Sequence, residues 1–232
     1  MDCRRRGKRK HNFWADPVGD LISYTFKSRQ WADRIVAIAH NGKAFDLFFV
    51  LNHLMRMKLL PELLIMNGQK IMCLKVQNVT WLESLNYLAM PLRKLPEELG
   101  LTAQNSWYPH LFNTTMNMNY VGPAPDVSYY DIDQMLESER KEFLSWYETV
   151  VKKEEFDNRR VLESYCQADV TVLREAFRTF RKNFLQMGNV EVFLESMIIA
   201  SACNKVFRKK LLQPERIGLI PVGGYTDNRK QS

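Results

Sequence analysis

Two acids stand beside aromatic rings in this sequence. Asp46 closes the run Ala39-His40-Asn41-Gly42-Lys43-Ala44-Phe45-Asp46, and Asp169 closes Tyr165-Cys166-Gln167-Ala168-Asp169. Carboxylates are the natural ligands of hard divalent cations, and with such cations they support hydrolysis. Asp169 falls in a stripe of apolar positions three or four apart (Leu162, Tyr165, Cys166, Leu173, Ala176, Phe177, Phe180), read on a helix over 156–184. A carboxylate on a core-facing stripe is costly unless it is paired or holds a metal. Tyr165 lies one turn earlier on the same face, so its hydroxyl reaches whatever Asp169 holds. The plainer alternative is an acid at the stripe's edge that meets solvent. Asp46 sits near the start of a helix read over 44–57, where free N–H groups stabilise an anion. Asn41 is placed to orient it; the plainer alternative is a helix-start acid without chemistry. His40, at a strand–helix junction, reads as a packed histidine bonded to backbone.

The elements that must carry these residues are legible from periodicity and punctuation. Residues 1–17 read as an irregular tail, and 18–30 as a short helix or turn-rich segment. A buried strand is expected over 35–39. The helix over 44–57 is apolar on most sides and so is expected to be buried. Strands over 63–66 and 70–76 make a hairpin about Asn67-Gly68, with a further strand over 80–82. Residues 91–99 read as a short helix, with Pro91 at its start and Gly100 just past its end. Residues 101–130, rich in proline, asparagine and aromatics, read as a long ordered excursion whose rings need something to pack on. Helices follow over 131–150, 156–184 and 191–212, then a strand-like run over 217–225. A strand, a helix, a hairpin and a helical half imply a mixed α/β fold.

The chain has 232 residues, 46% of them hydrophobic and 12% aromatic, which is a globular composition. Its net charge of +7 is uneven: Arg4, Arg5, Arg6, Lys8, Arg9 and Lys10 against Asp2 leave the remaining 222 residues at +2. A basic tail holds a phosphate backbone or serves as a nuclear address, so the nucleus is the favoured compartment; a solvated terminus is the plainer reading. Cys3, Cys73, Cys166 and Cys203 have neither zinc nor redox spacing. No apolar run has signal or membrane-span length, so no membrane association is expected.

Taken in order, the two strings resemble the second and third motifs of the 3′–5′ exonuclease region of family B DNA polymerases. The branch resembled is the organellar, viral and protein-primed one, which includes polymerases of large DNA transposons and adenovirus-like elements. The resemblance extends over residues 18–232. Between the motifs, Glu83-Ser84-Leu85 through Arg93-Lys94-Leu95 is similar to a family stretch near single-stranded DNA, with Glu83 where the family usually has Asp. Tyr108-Pro109-His110, Phe112-Asn113 and Gly122-Pro123 follow the family's middle segment. Ser201-Ala202-Cys203-Asn204 and Ile220-Pro221 resemble the approach to the palm.

The resemblance implies an incomplete ribonuclease H-like 3′–5′ exonuclease fold with a helical C-terminal half. It implies a tail over 1–17, an exonuclease-like domain over 18–188 and the start of a palm over 189–232. It implies catalysis by Asp46, Asp169 and Tyr165, with Asp46 and Asp169 holding Mg²⁺ or Mn²⁺. Two such ions about 4 Å apart activate water and stabilise the leaving oxygen. It implies DNA contacts at Asn41, Phe45, Ser84, Leu85, Arg93 and Lys94. The partner is DNA, chiefly a single-stranded 3′ end, with a terminal protein as a further partner in the parent family. The family's first motif, Asp-x-Glu, belongs before Asn41. Asp2, Asp16, Asp20 and Asp33 do not form it, and Asp131-Ile132-Asp133 lies in the wrong place. The cage is therefore expected to be incomplete, and the palm aspartates of nucleotide addition fall beyond residue 232. Two readings stand: a fragment of a replicative, proofreading polymerase, inactive by itself, or a non-catalytic single-strand-binding module.

Overall fold

The computed structural model describes residues 10–30, 32–104, 106–149, 155–213, 215, 216 and 218. Most of the basic tail, and all of the strand-like run over 217–225 except Gly218, lie outside them. The chain forms two compact units, 1–180 and 181–232.

The first unit is built on a four-stranded sheet. Helix α1 (Pro17–Phe26) starts at Asp16, whose side chain accepts from the Gly19 N–H at 3.0 Å, with Pro17 as first helical residue. Strand β1 (Ile35–Ala39) leads into α2 (Asp46–Arg56), then β2 (Leu63–Asn67), β3 (Lys70–Val76) and β4 (Val79–Glu83). The sheet order is β1-β4-β3-β2: β4 runs parallel to β1 and antiparallel to β3. The parallel pairing places the ends of β1 and β4 side by side, Ala39 opposite Glu83. Asn67 pairs with Lys70, so the hairpin turns on Gly68-Gln69, one residue later than expected. Gly68 carries the positive φ of +58° that this turn requires.

The core lies between the sheet and the first two helices. Ile22 from α1 and Leu47, Val50 and Leu54 from α2 pack on Ile71, Leu74, Val76, Val79 and Trp81. Helix α2 departs from expectation. Only that one stripe is buried, while Phe45 (71% exposed), Phe49 (57%) and Met55 face outward. A helix on an open sheet buries one face, and the apolar residues of its other face remain at the surface.

Helix α3 (Leu95–Leu99), entered through a 3₁₀ turn at Leu92–Lys94, ends at Gly100 with φ +58°. The middle segment then runs through short 3₁₀ turns and β5 (Val121–Gly122), which pairs with β6 (Phe156–Asp157). Helix α4 (Glu137–Thr149) begins six residues later than expected, because Asp131 takes a left-handed φ of +56° and Met135 is extended. Tyr130, Phe143 and Tyr147 form a second core, with Trp107 and Trp146 against it.

Helix α5 (Asn158–Gly188) is 31 residues long and runs past Phe180 into the second unit. In that unit, Gly188 lies so close to Val206 that a Cβ would come within 2.9 Å of it. The single helix expected over 191–212 is instead α6 (Val192–Glu195), α7 (Ile199–Val206) and a π-helical turn at Phe207–Leu211. Ser196 and Ile198 take extended backbone and break it, as a buried serine and a β-branched residue do at helix ends. Among the described residues no helix is long and apolar enough to cross a membrane.

Candidate nucleic-acid interface

Asp169 opens on a cleft of about 790 Å³ in the first unit. Helix α5 places Tyr165 and Asp169 one turn apart, and the Tyr165 hydroxyl donates to the carboxylate. The Tyr165 ring stacks on Tyr108 at 5.5 Å and meets the edge of His110 at 5.2 Å. Tyr108 is fixed from behind: its hydroxyl donates to Asn158 Oδ1 at 2.9 Å. Asn158 is itself fully buried, and its Nδ2 donates to the Asn117 carbonyl at 2.8 Å. The first residue of α5 thereby ties the middle segment to the helix that carries Asp169.

Burial pushes the Asp169 carboxyl above its ordinary range; the bond from Tyr165 and the charge on His110 pull it down without cancelling that. Burial, then the neighbouring Asp169 charge, raise the Tyr165 phenol well above its ordinary value, so it stays a neutral donor. Arg93 and Lys94 line the same cleft. Arg93 is paired with Glu139, while Lys94 has no ion pair among the described residues. Glu97, Asp131, Glu139 and Glu142 also line it. The lining thus holds more acids than bases, and Trp107, His110 and Tyr165 add aromatic rings to it.

The other sequence-expected residues gather at the ends of β1 and β4, around Glu83. Its side chain is 0% exposed. Oε1 accepts from the Asn41 N–H at 3.0 Å and the Leu85 N–H at 2.8 Å, and Oε2 from the Lys43 N–H at 2.8 Å. Buried Ser84 places its Oγ 2.8 Å from His40 Nδ1. The expected backbone partner of His40 is therefore a hydroxyl. Burial holds the His40 imidazole below its ordinary value, with Glu83 pulling up and Lys43 pulling down.

Asn41 takes a left-handed φ of +57°, and Phe45 and Asp46 emerge beyond it, exposed, at the start of α2. Asp46 does not line the Asp169 cleft. The structure thus joins Tyr165, Asp169, Arg93 and Lys94 in one place. It joins Asn41, Ser84 and Leu85 in another, through Glu83. Among the described residues no three His, Cys, Asp or Glu side chains gather where they hold one cation. A pair of Mg²⁺ or Mn²⁺ ions wants several oxygen ligands each, so the described donors do not fit them.

Sequence reasoning gave no role to His110, Asn158 or Trp107, and none beyond a family departure to Glu83. The available signal for Glu83 was an acid at the end of an apolar strand, followed at once by serine.

The chain matches the family described as DNA polymerase type B, organellar and viral, over residues 31–231. It is 28% identical over 144 residues to a probable DNA polymerase of Podospora anserina, covering 62% of this chain and 11% of that protein. To one of Agaricus bitorquis it is 28% identical over 138 residues, 55% of this chain and 17% of the relative. To one of Neurospora intermedia it is 25% identical over 194 residues, 77% and 19%. The chain thus spans less than a fifth of the length of each of these relatives. No solved structure matches it.

Proposed function

The chain belongs to the organellar and viral family of type B DNA polymerases, and from that premise we propose that it is the 3′–5′ exonuclease-type, ribonuclease H-like region of such a polymerase. In this reading it engages the single-stranded 3′ end during replication, and by itself it binds that strand without cutting it. The observation that carries the reading is the cleft in which Tyr165, held by Asp169 and stacked on Tyr108, stands beside Trp107 and His110 with Arg93 and Lys94.

Bases stack on the rings of the cleft, while phosphates keep to Lys94 and to Arg93, clear of the acids that line it. Stacking on aromatic side chains contributes about 1–3 kcal/mol per base and tolerates any sequence. Asp169 and Tyr165 meet the terminal sugar or phosphate as hydrogen-bonding groups. Hydrolysis by a metal pair has no support in the described donor set, and so no step is assigned to it.

Fluorescence anisotropy across a salt series tests this with three probes of equal length: a single strand, a duplex and an abasic strand. The single strand is expected to bind at least about tenfold more tightly than either other probe. Arg93→Ala with Lys94→Ala is expected to flatten the salt dependence by about two phosphate contacts. Equal affinity for the abasic strand would overturn the reading, because a bare phosphate backbone would then suffice.

A further inference from the structure

We propose that Glu83 is the positioning residue for a second strand-contacting surface, formed by exposed Asn41 and Phe45 with half-buried Leu85 and braced from within by buried Ser84. The inference rests on the single-strand reading above and adds to it a residue that never touches the strand. Glu83 is buried, yet its carboxylate joins two segments about forty positions apart. Its two oxygens pin successive parts of one loop, Oε1 the Asn41 N–H at 3.0 Å and Oε2 the Lys43 N–H at 2.8 Å. Oε1 also receives the Leu85 N–H of its own segment at 2.8 Å, and Ser84 returns to the loop through His40 at 2.8 Å.

The loop needs such a latch. Asn41 holds a left-handed backbone that a non-glycine residue adopts only at some cost. Gly42 is buried, and a Cβ there would fall 2.7 Å from the Ala39 Cβ. Strained backbone of this kind persists where its surroundings over-determine it. The three backbone N–H groups on Glu83 supply that constraint and fix the point from which the chain turns into Phe45 and Asp46. The side chain has no other outlet: both oxygens already accept, and water does not reach it.

The test compares single-strand affinity with thermal stability in the full chain. Glu83→Gln keeps the shape but sets an amide N–H₂ against backbone donors. It is expected to weaken single-strand binding about tenfold, measured well below its melting midpoint. Glu83→Asp keeps a two-oxygen acceptor and is expected to stay within about threefold of the native affinity. Leu74→Ala, in the core away from both contact groups, lowers the melting midpoint and is expected to leave affinity unchanged. A folded Glu83→Gln chain that binds like native would overturn the proposal, as would an equal affinity loss in Leu74→Ala. If Glu83→Gln does not fold, His40→Leu cuts only the Ser84 arm; a weakening of about threefold supports the latch and native affinity overturns it. A native chain with no preference for single strands would instead overturn the underlying reading, and the proposal with it.

Discussion

Glu83 and Asp169 are both carboxylates drawn away from water, and they are held in different ways. Glu83 is held by backbone: three N–H groups from two segments donate to its two oxygens. Asp169 has one hydroxyl donor, stands at the wall of an open cleft, and is pushed toward its protonated form by burial. The first arrangement builds a surface. The second leaves a polar group available to a ligand. A buried carboxylate is therefore not by itself a sign of chemistry; the number and kind of its donors decide which role it has.

The largest expected effect separates the two on stability. Glu83→Ala leaves the part-buried N–H groups of Asn41, Lys43 and Leu85 without their acceptor; at the low end of about 1–3 kcal/mol for each unsatisfied group, a loss of roughly 2–4 kcal/mol is expected in urea unfolding. Asp169→Ala is expected to change unfolding by less than about 1 kcal/mol. Comparable losses from both would dissolve the distinction.

A smaller effect concerns the sign of the pH dependence. The Asp169 carboxyl is raised in the folded state, so its contribution favours folding below its unfolded value and is lost as pH rises through the folded one. Asp169→Asn keeps an acceptor for Tyr165 and removes that loss. A melting midpoint higher by roughly 1–2 °C at neutral pH is expected, with no gain at acid pH. His40 runs the other way. Its imidazole is held down, so its contribution is present above the unfolded value of 6.5 and is lost as pH falls through the folded one. Acidification is thus expected to loosen the β1–α2 loop, seen as lower protection of the Asn41 and Lys43 amides relative to their intrinsic exchange rates at each pH. The smallest effect is spectroscopic: Tyr165→Phe removes the bond that lowers the Asp169 carboxyl, so its titration by carbon NMR is expected to move further upward.

Local pattern made much of the fold readable. The run Ile35–Ala39, the two hairpin strands and the end of α3 at Gly100 lie where the sequence suggests, because each is set by neighbours in the chain, although the hairpin turns one residue on and α3 starts at Leu95 rather than at Pro91. What could not be read depends on partners far away. Two of the three donors to Glu83 lie some forty residues upstream, and His40 meets Ser84 rather than backbone. The outer face of α2 reads as core from composition alone, but the helix packs on the sheet by one side, and Phe45 and Phe49 lie exposed away from it. The break at Ser196 carries no proline or glycine to announce it. Of the residues expected to act, Tyr165 and Asp169 share the cleft with Arg93 and Lys94, while Asp46 stands apart at the start of α2. Helical spacing groups the first pair, and tertiary packing alone decides where Asp46 goes.

The most direct measurement follows a 5′-labelled single strand incubated with the full chain in Mg²⁺ and, separately, in Mn²⁺, reading anisotropy and a denaturing gel from the same samples. The expected result is a clear rise in anisotropy with the strand at its original length in both metals. A ladder of shortened products that disappears in Asp169→Ala would contradict it, and would make the cleft a working nuclease site.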